Sequence, residues 1–237
     1  MEPGGAPEGR ARARLECVAR LRGFPADGAT LDRLLAYLRA VLEHGRRLNL
    51  TAARDLERAT DVLALSALAV TRAWPRRRSP PARIVDLGTG NGLPGVAAAL
   101  AWPGAEVLLV ERRGHKARAV ASCVRAVGLD GVEVLALDGR ELLARRPDLR
   151  EGVDLVTVRA VGTLAASTRI AAPWLAPGGR VVHWKGRGLV EKEIEAGRAA
   201  ARVGGLRARP WVECDDEAGP AHLVVYERPR DGLRRGR

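Results

Sequence analysis

The chain is poor in aromatic side chains and in sulfur. Five Trp, two Tyr and one Phe make up 3% of its 237 residues, beside one Met and three Cys. A core of this composition must rest on Leu, Val and Ala. Cys17, Cys123 and Cys214 are odd in number and widely scattered, with no Cys-x-x-Cys and no neighbouring His cluster. That argues against a disulfide framework and against a zinc site, so no metal is expected. No apolar run approaches the length of a membrane span, and the opening MEPGGAPEGRARARLEC lacks the apolar stretch of a signal peptide. A cytoplasmic protein without membrane association is therefore expected. Acidic residues are in deficit: 28 Asp and Glu against 40 Lys and Arg leave a formal charge of +12. The plainer reading is an Arg-rich surface from a GC-rich genome. The functional one is a polyanionic partner, most simply nucleic acid, because Lys and Arg gain by displacing phosphate counterions.

The Gly-, Pro- and Arg-rich residues 1–14 are expected to be disordered. A helical region spans residues 15–78. Leu31, Leu34, Leu35, Leu38, Val41 and Leu42 follow helical spacing after Thr30 as N-cap, and a second helix is expected from Leu56 to Trp74. PRRRSPP then marks a boundary. Across residues 79–228 the texture alternates. ARIVDLG, AEVLLVE, VEVLALD, VDLVTVRA and GRVVHWKG read as buried parallel strands. Helical stretches fall between them at 93–101, 115–127, 139–146 and 162–173. The sum is an α/β, doubly wound sheet, closed by an antiparallel hairpin from LRARPWVEC and AHLVVYE around a DDEAGP turn. Residues 229–237 form a basic tail.

The segment IVDLGTGNGLPG (Ile84 to Gly95) sits between the first strand and its helix. Gly90-x-Gly92-x-x-Gly95 fits a dinucleotide fingerprint, and Asp86-x-Gly88-x-Gly90-x-Gly92 fits an S-adenosylmethionine loop. Acids at successive strand ends bear on the choice. Glu111 lies at the right distance to accept paired ribose hydroxyls, and Asp138 ends the third strand, where an adenine amine would sit. Any one of these could be a mere helix cap, but three together point to adenosine. Asp86 suits the methionine amine of S-adenosylmethionine better than a pyrophosphate. WLAPGGRVV resembles the Leu-x-Pro-Gly-Gly turn before the fifth strand of class I methyltransferases, whose final hairpin also matches. No tetrapeptide for exocyclic amines and no Cys beside Pro for cytosine C5 is present. A ring nitrogen such as guanine N7 needs neither device, since alignment and electrostatics suffice.

LNLTAARD, VDLGTGNGLPG, RRGHKARA, VRA, WKG and HLVVYE occur in that order. Together they resemble the bacterial small-subunit rRNA guanine-N7 methyltransferases, the RsmG/GidB family, over roughly Leu31 to Arg228. The resemblance implies a class I, Rossmann-like fold with a small N-terminal helical region. It implies methylation of a guanine N7 in 16S rRNA near the decoding site, on free rRNA or the small ribosomal subunit, by a monomer using S-adenosyl-L-methionine. Gly88, Gly90, Leu93, Glu111, Asp138, Gly139 and Arg140 would then line the cofactor site with Asp86. Arg159 would stand near both cofactor and base, and Lys185 would face RNA or the guanine O6; these two are the catalytic candidates. Asn49 and Thr51 match a lid segment, although an Asn there can simply cap a helix.

Departures accompany the match. Leu63, Ser66 and Ala67 stand where the family usually has His and an Asp-Ser pair, Ala221 where it has Arg, and His115 where it has Lys. Three readings stay open: the rRNA methyltransferase, a same-fold methyltransferase on another RNA or a small molecule, and a non-catalytic RNA-binding paralogue. An oxidoreductase is disfavoured by the lack of an evident hydride-transfer site. Of the tryptophans, Trp184 is the candidate for stacking on a base, while Trp102, Trp174 and Trp211 read as packing. Cys123 and Cys214 read as small core residues.

Overall fold

A computed structural model describes residues 7–186, 189–214 and 221–230. The expected turn at 215–220, the first six residues and the tail from 231 lie outside the described residues, as does the Cys214 side chain.

The N-terminal part is helical from further back than expected. Helix α1 runs Pro7–Arg22, so residues 7–14 are ordered: Ala11, Leu15, Val18 and Ala19 recur at helical spacing and are buried. Helix α2, Gly28–Leu48, begins at Asp27 rather than Thr30, because the Asp27 carboxylate accepts the Thr30 N–H at 2.9 Å. It ends at Asn49 in the left-handed conformation, φ 52°, the cap that an Asn tolerates. The expected second helix is broken into α3 (Leu56–Ala59), a wide π-turn (Thr60–Ala64), α4 (Leu65–Ala67) and a 3₁₀ stretch (Leu68–Ala73).

The rest is a parallel sheet wrapped by helices. In chain order come β1 (Arg83–Leu87), α5 (Gly95–Ala101), β2 (Glu106–Val110), α6 (Gly114–Ala126), β3 (Val132–Leu135), α7 (Leu142–Arg145), β4 (Val153–Arg159), α8 (Leu164–Ala171), β5 (Leu175–Lys185) and α9 (Glu191–Val203). Short β6 (Arg207–Ala208) and β7 (Val212–Cys214) then both pair antiparallel with β8 (Ala221–Glu227). The order is β3-β2-β1-β4-β5-β8-β6. Strand order reverses between β1 and β4, the position where open α/β sheets bind ligands. Helix α9 has no counterpart among the expected elements.

Alternate strand residues feed two cores. Ile84, Leu109, Leu155 and Val182 pack with α1, α2, α5 and α6 on one face. Val85, Leu108, Val156 and Val181 pack with α8 and α9 on the other. The helical region therefore has no core of its own; it covers the sheet. The PRRRSPP linker is tied down as well: Arg78 donates to the Gly178 carbonyl at 2.7 Å and Arg180 to the Ala73 carbonyl at 3.0 Å. Among the described residues, no helix is long and apolar enough to cross a membrane.

Candidate active site

The glycine loop is folded around one buried carboxylate. Asp86, 1% exposed, accepts hydrogen bonds from Thr89 Oγ1 (2.5 Å) and the Gly95 N–H (3.1 Å) through Oδ2, and from Thr157 Oγ1 (2.6 Å) through Oδ1. Burial pushes its pKa up; bonds from Thr157, Thr89 and Gly95 and the nearby Arg159 charge oppose the rise. Both oxygens thus bind the loop and β4. Asp86 lies under the loop and is not among the residues that line the cleft above it; its bonds hold the loop in place. Its carboxylate also occupies the N-terminus of α5, the place a dinucleotide's phosphates would take.

Above Asp86, Gly88, Gly90 and Gly92 have φ of 69°, 61° and 91°, a region open mainly to glycine. A Cβ on Gly88 would overlap Val161 from the loop after β4. At Gly90 the nearest atom to such a Cβ is the Gly88 carbonyl oxygen at 3.8 Å, so the backbone there lies open. Glu111, at the end of β2, ties this loop to the next by accepting the Gly90 N–H at 3.2 Å and the Arg113 N–H at 2.9 Å. Each carboxylate oxygen keeps a further lone pair for a ligand hydroxyl. At the end of β3, Asp138 is gripped by Arg140 through the backbone N–H and two guanidinium N–H groups, at 2.9–3.0 Å. Those bonds pull its carboxyl down to about 2.

Gly88, Gly90, Leu93, Glu111, Asp138, Gly139, Arg140 and Arg159 all line one cleft of about 940 Å³. Its volume, bare loop and strand-end carboxylates fit an adenosine-bearing cofactor. Lys116, Arg112, Arg113 and Arg169 complete its rim.

Arg159 reaches this cleft from β4 and is held on its far side. Its guanidinium donates to the Val62 carbonyl at 2.7 Å and the Leu63 carbonyl at 3.0 Å, both in the π-turn. Burial lowers its pKa, partly offset by the Asp86 charge, but an arginine stays charged. The next residue, Ala160, has φ 57°, a strained value for a side-chain-bearing residue at a cleft rim. Leu63 is buried with 6% exposure and Ala67 fully, so the departing positions face the core while backbone carbonyls do the holding. Trp184 donates likewise to the Ser66 carbonyl at 2.9 Å. With 6% exposure it is walled in, and the expected stacking role is corrected.

Lys185 is not brought to the cleft. Its ammonium pairs with Glu193 of α9 at 2.7 Å, lowering the Glu193 pKa, and the same oxygen accepts the Leu164 N–H at 3.1 Å. Through Glu193 the lysine joins β5 to α8 and α9, outside the residues that line the cleft.

Two residues missed in the sequence shape the site. Tyr37 of α2, fully buried, donates its hydroxyl to the Asn91 carbonyl at 2.9 Å, and a Cβ on Gly92 would overlap that hydroxyl. Leu50, after the α2 cap, lines the cleft, and Lys116 donates to the Asn49 carbonyl at 3.0 Å. Asn49 and Thr51 themselves act locally: Thr51 Oγ1 accepts the Ala53 N–H at 3.0 Å. Only the helical spacing of Tyr37 with Leu34, Leu38 and Val41 hinted that it faces inward.

The family model for rRNA small subunit methyltransferase G (GidB) matches residues 30–222. The chain belongs to this family. The GidB-family chain is 34% identical to the ribosomal RNA small subunit methyltransferase G of Gloeobacter violaceus over 211 residues, 86% of this chain and 80% of that protein. The protein of that name from Ralstonia nicotianae is 37% identical over 182 residues, 74% of this chain and 78% of that one. Among solved structures, a putative O-methyltransferase from Klebsiella pneumoniae superposes with TM-score 0.55 at 18% identity, covering 86% of this chain and 91% of that one. Geranyl diphosphate methyltransferase, in complex with GPP and sinefungin, gives 0.55 at 17%, covering 80% and 86%. These likenesses establish the class I methyltransferase fold of this GidB-family chain.

Proposed function

We propose that the protein transfers a methyl group from S-adenosyl-L-methionine to N7 of a guanine in 16S rRNA near the decoding site. The observation that carries this reading is the cleft, where residues 88–91, Glu111 and Asp138 meet at three adjacent strand ends under a rim of arginines and a lysine. Membership of the family and the names of its relatives support rRNA as substrate.

When bound, the cofactor supplies an electrophilic methyl on a positive sulfonium. The chain's own task is alignment. The glycine loop presents bare backbone to the cofactor, and Glu111 accepts hydroxyl hydrogen bonds beside it. Asp138, kept ionised by Arg140, accepts from an amine at the far end. Guanine N7 carries a lone pair and no proton at neutral pH, so no base has to be supplied. Among the described residues lining the cleft there is no histidine, and Glu111 and Asp138 are already engaged. Arg159 uses two of its five N–H donors on Val62 and Leu63. We assign its remaining donors to guanine O6, which fixes the ring with N7 toward the methyl.

The test is direct. Purified protein, a methyl-labelled donor and 16S rRNA from cells lacking the gene are incubated, and the RNA is cleaved chemically at 7-methylguanine. One labelled site near the decoding region is expected. Label elsewhere in the RNA, or none, overturns the proposal.

A further inference from the structure

The outer edge of the sheet carries a second cavity, of about 310 Å³, away from the cleft. Its cause is a break in the edge strand. β6 pairs with Tyr226 and Glu227, the Arg209 N–H still donates to the Val225 carbonyl at 2.9 Å, and β7 pairs with Ala221 to Leu223, so the ladder is interrupted at Pro210 and Trp211. Proline has no N–H to give a ladder, so pairing stops there. The opposite wall is the face of α9 that carries Glu191, Ile194 and Arg198.

What lines this cavity is unusual for the chain. Trp211 is 36% exposed, whereas Trp174 and Trp184 are buried at 1% and 6%. Arg198 and Arg209 are exposed beside it, and Arg209 has only a long 3.9 Å approach to Glu227. Tyr226 also lines the cavity; it is 1% exposed, and its hydroxyl has no hydrogen-bond partner among the described residues. Contacts lead from Trp211 to the end of β5. Lys185, ending β5, is the register partner of His222, whose ring packs edge-on against Trp211 at 6.3 Å between centroids.

We propose that this cavity is a second RNA site, where an unpaired base of the substrate strand stacks on Trp211 and its flanking phosphates pair with Arg198 and Arg209. An exposed aromatic face between cations is the arrangement that takes single-stranded bases without reading their sequence. The cavity has room for a base and its sugar, and Arg198 and Arg209 against Glu191 leave its lining net positive, which favours RNA over a neutral protein surface. The inference rests on rRNA being the substrate.

The experiment compares the full-length wild type with Trp211→Ala, Trp211→Phe and the double variant Arg198→Glu/Arg209→Glu. Binding of a labelled oligoadenylate, the steady-state constants on naked 16S rRNA and on assembled small subunits, and cofactor affinity are measured. Trp211→Ala should weaken oligoadenylate binding and raise KM for naked rRNA about tenfold, the scale of one lost stack. Its kcat and cofactor affinity should be unchanged. Trp211→Phe, which still stacks, should stay within about threefold of wild type, and the arginine variant should shift KM the same way as Trp211→Ala. Unchanged KM in both Trp211→Ala and the arginine variant, with an active wild type, overturns this inference and leaves the proposed function standing. A defect confined to assembled subunits assigns the cavity to a ribosomal protein and overturns it too. A wild type that methylates no RNA defeats the proposed function instead, while oligoadenylate binding still decides whether Trp211 contacts RNA.

Discussion

A Cβ at position 92 would run into the Tyr37 hydroxyl, and the backbone there already sits at φ 91°. Gly92→Ala should therefore cost about 2–4 kcal/mol, from strain and overlap together. Tyr37→Phe leaves the Asn91 carbonyl without this donor and should cost about 1 kcal/mol. In the double variant part of the clash is gone, although the Tyr37 ring carbon Cζ would still stand 2.8 Å from the new Cβ. The two losses should then fall short of additive by about 1 kcal/mol. Urea unfolding of the four proteins checks this, with cofactor affinity measured alongside; strict additivity would show that the hydroxyl does not press on the loop. At this scale the sequence is ambiguous for a plain reason. A carboxylate ending a strand looks the same whether it lines the cleft, as Glu111 does, or props a loop, as Asp86 does with Gly95 and Thr157. Lys185 misleads for a related reason, since its partner Glu193 lies on a helix that was not read from the chain.

The π-turn Thr60–Ala64 is an element whose shape has a use. It runs into α4, and on its outer side the Val62 and Leu63 carbonyls also accept from the Arg159 guanidinium, at 2.7 and 3.0 Å. Arg159→Lys keeps the charge but replaces a planar fork with a point donor that cannot span two carbonyls. Methyl transfer should fall about tenfold or more, with cofactor affinity changed far less, and a rate within about twofold of wild type would remove Arg159 from the chemistry. Elements differ in how openly the sequence declares them. The five parallel strands are legible because both faces are buried, which leaves short β-branched runs such as IVDL and VLLV. Helix α9 is hidden because its buried face is Ile194, Gly197, Ala200 and Ala201, mostly too small to show an apolar stripe. Gly197 is small of necessity, since a Cβ there would overlap the Tyr226 hydroxyl. Helix α1 is hidden by the arginines spaced between Ala11 and Leu15, and the π-turn by the absence of any side-chain signal for its extra residue.

At the scale of the molecule, the N-terminal helices and the sheet share one core, and that union builds the cleft: α2 supplies Tyr37 beneath the loop and leads to Leu50 at the rim. Charge then gives the assembled surface its direction. A total of +12 says only that some polyanion is favoured. The fold places Arg112, Arg113, Lys116, Arg140, Arg159 and Arg169 around one opening. Several of these have other duties, Arg140 on Asp138, Lys116 on the Asn49 carbonyl and Arg159 on the π-turn. Arg112 and Arg113 are exposed at the start of α6, where they can meet phosphates with little structural cost on removal. Each phosphate contact to a single strand releases counterions and adds about 0.7 to the slope of log affinity against log salt. Replacing Arg112 and Arg113 together by Ala should therefore flatten the salt dependence of 16S rRNA binding by about 1.4, with cofactor affinity and the unfolding midpoint close to wild type. A titration of rRNA affinity between low and physiological salt measures it. If the slope is unchanged, the RNA approaches from a side other than this rim.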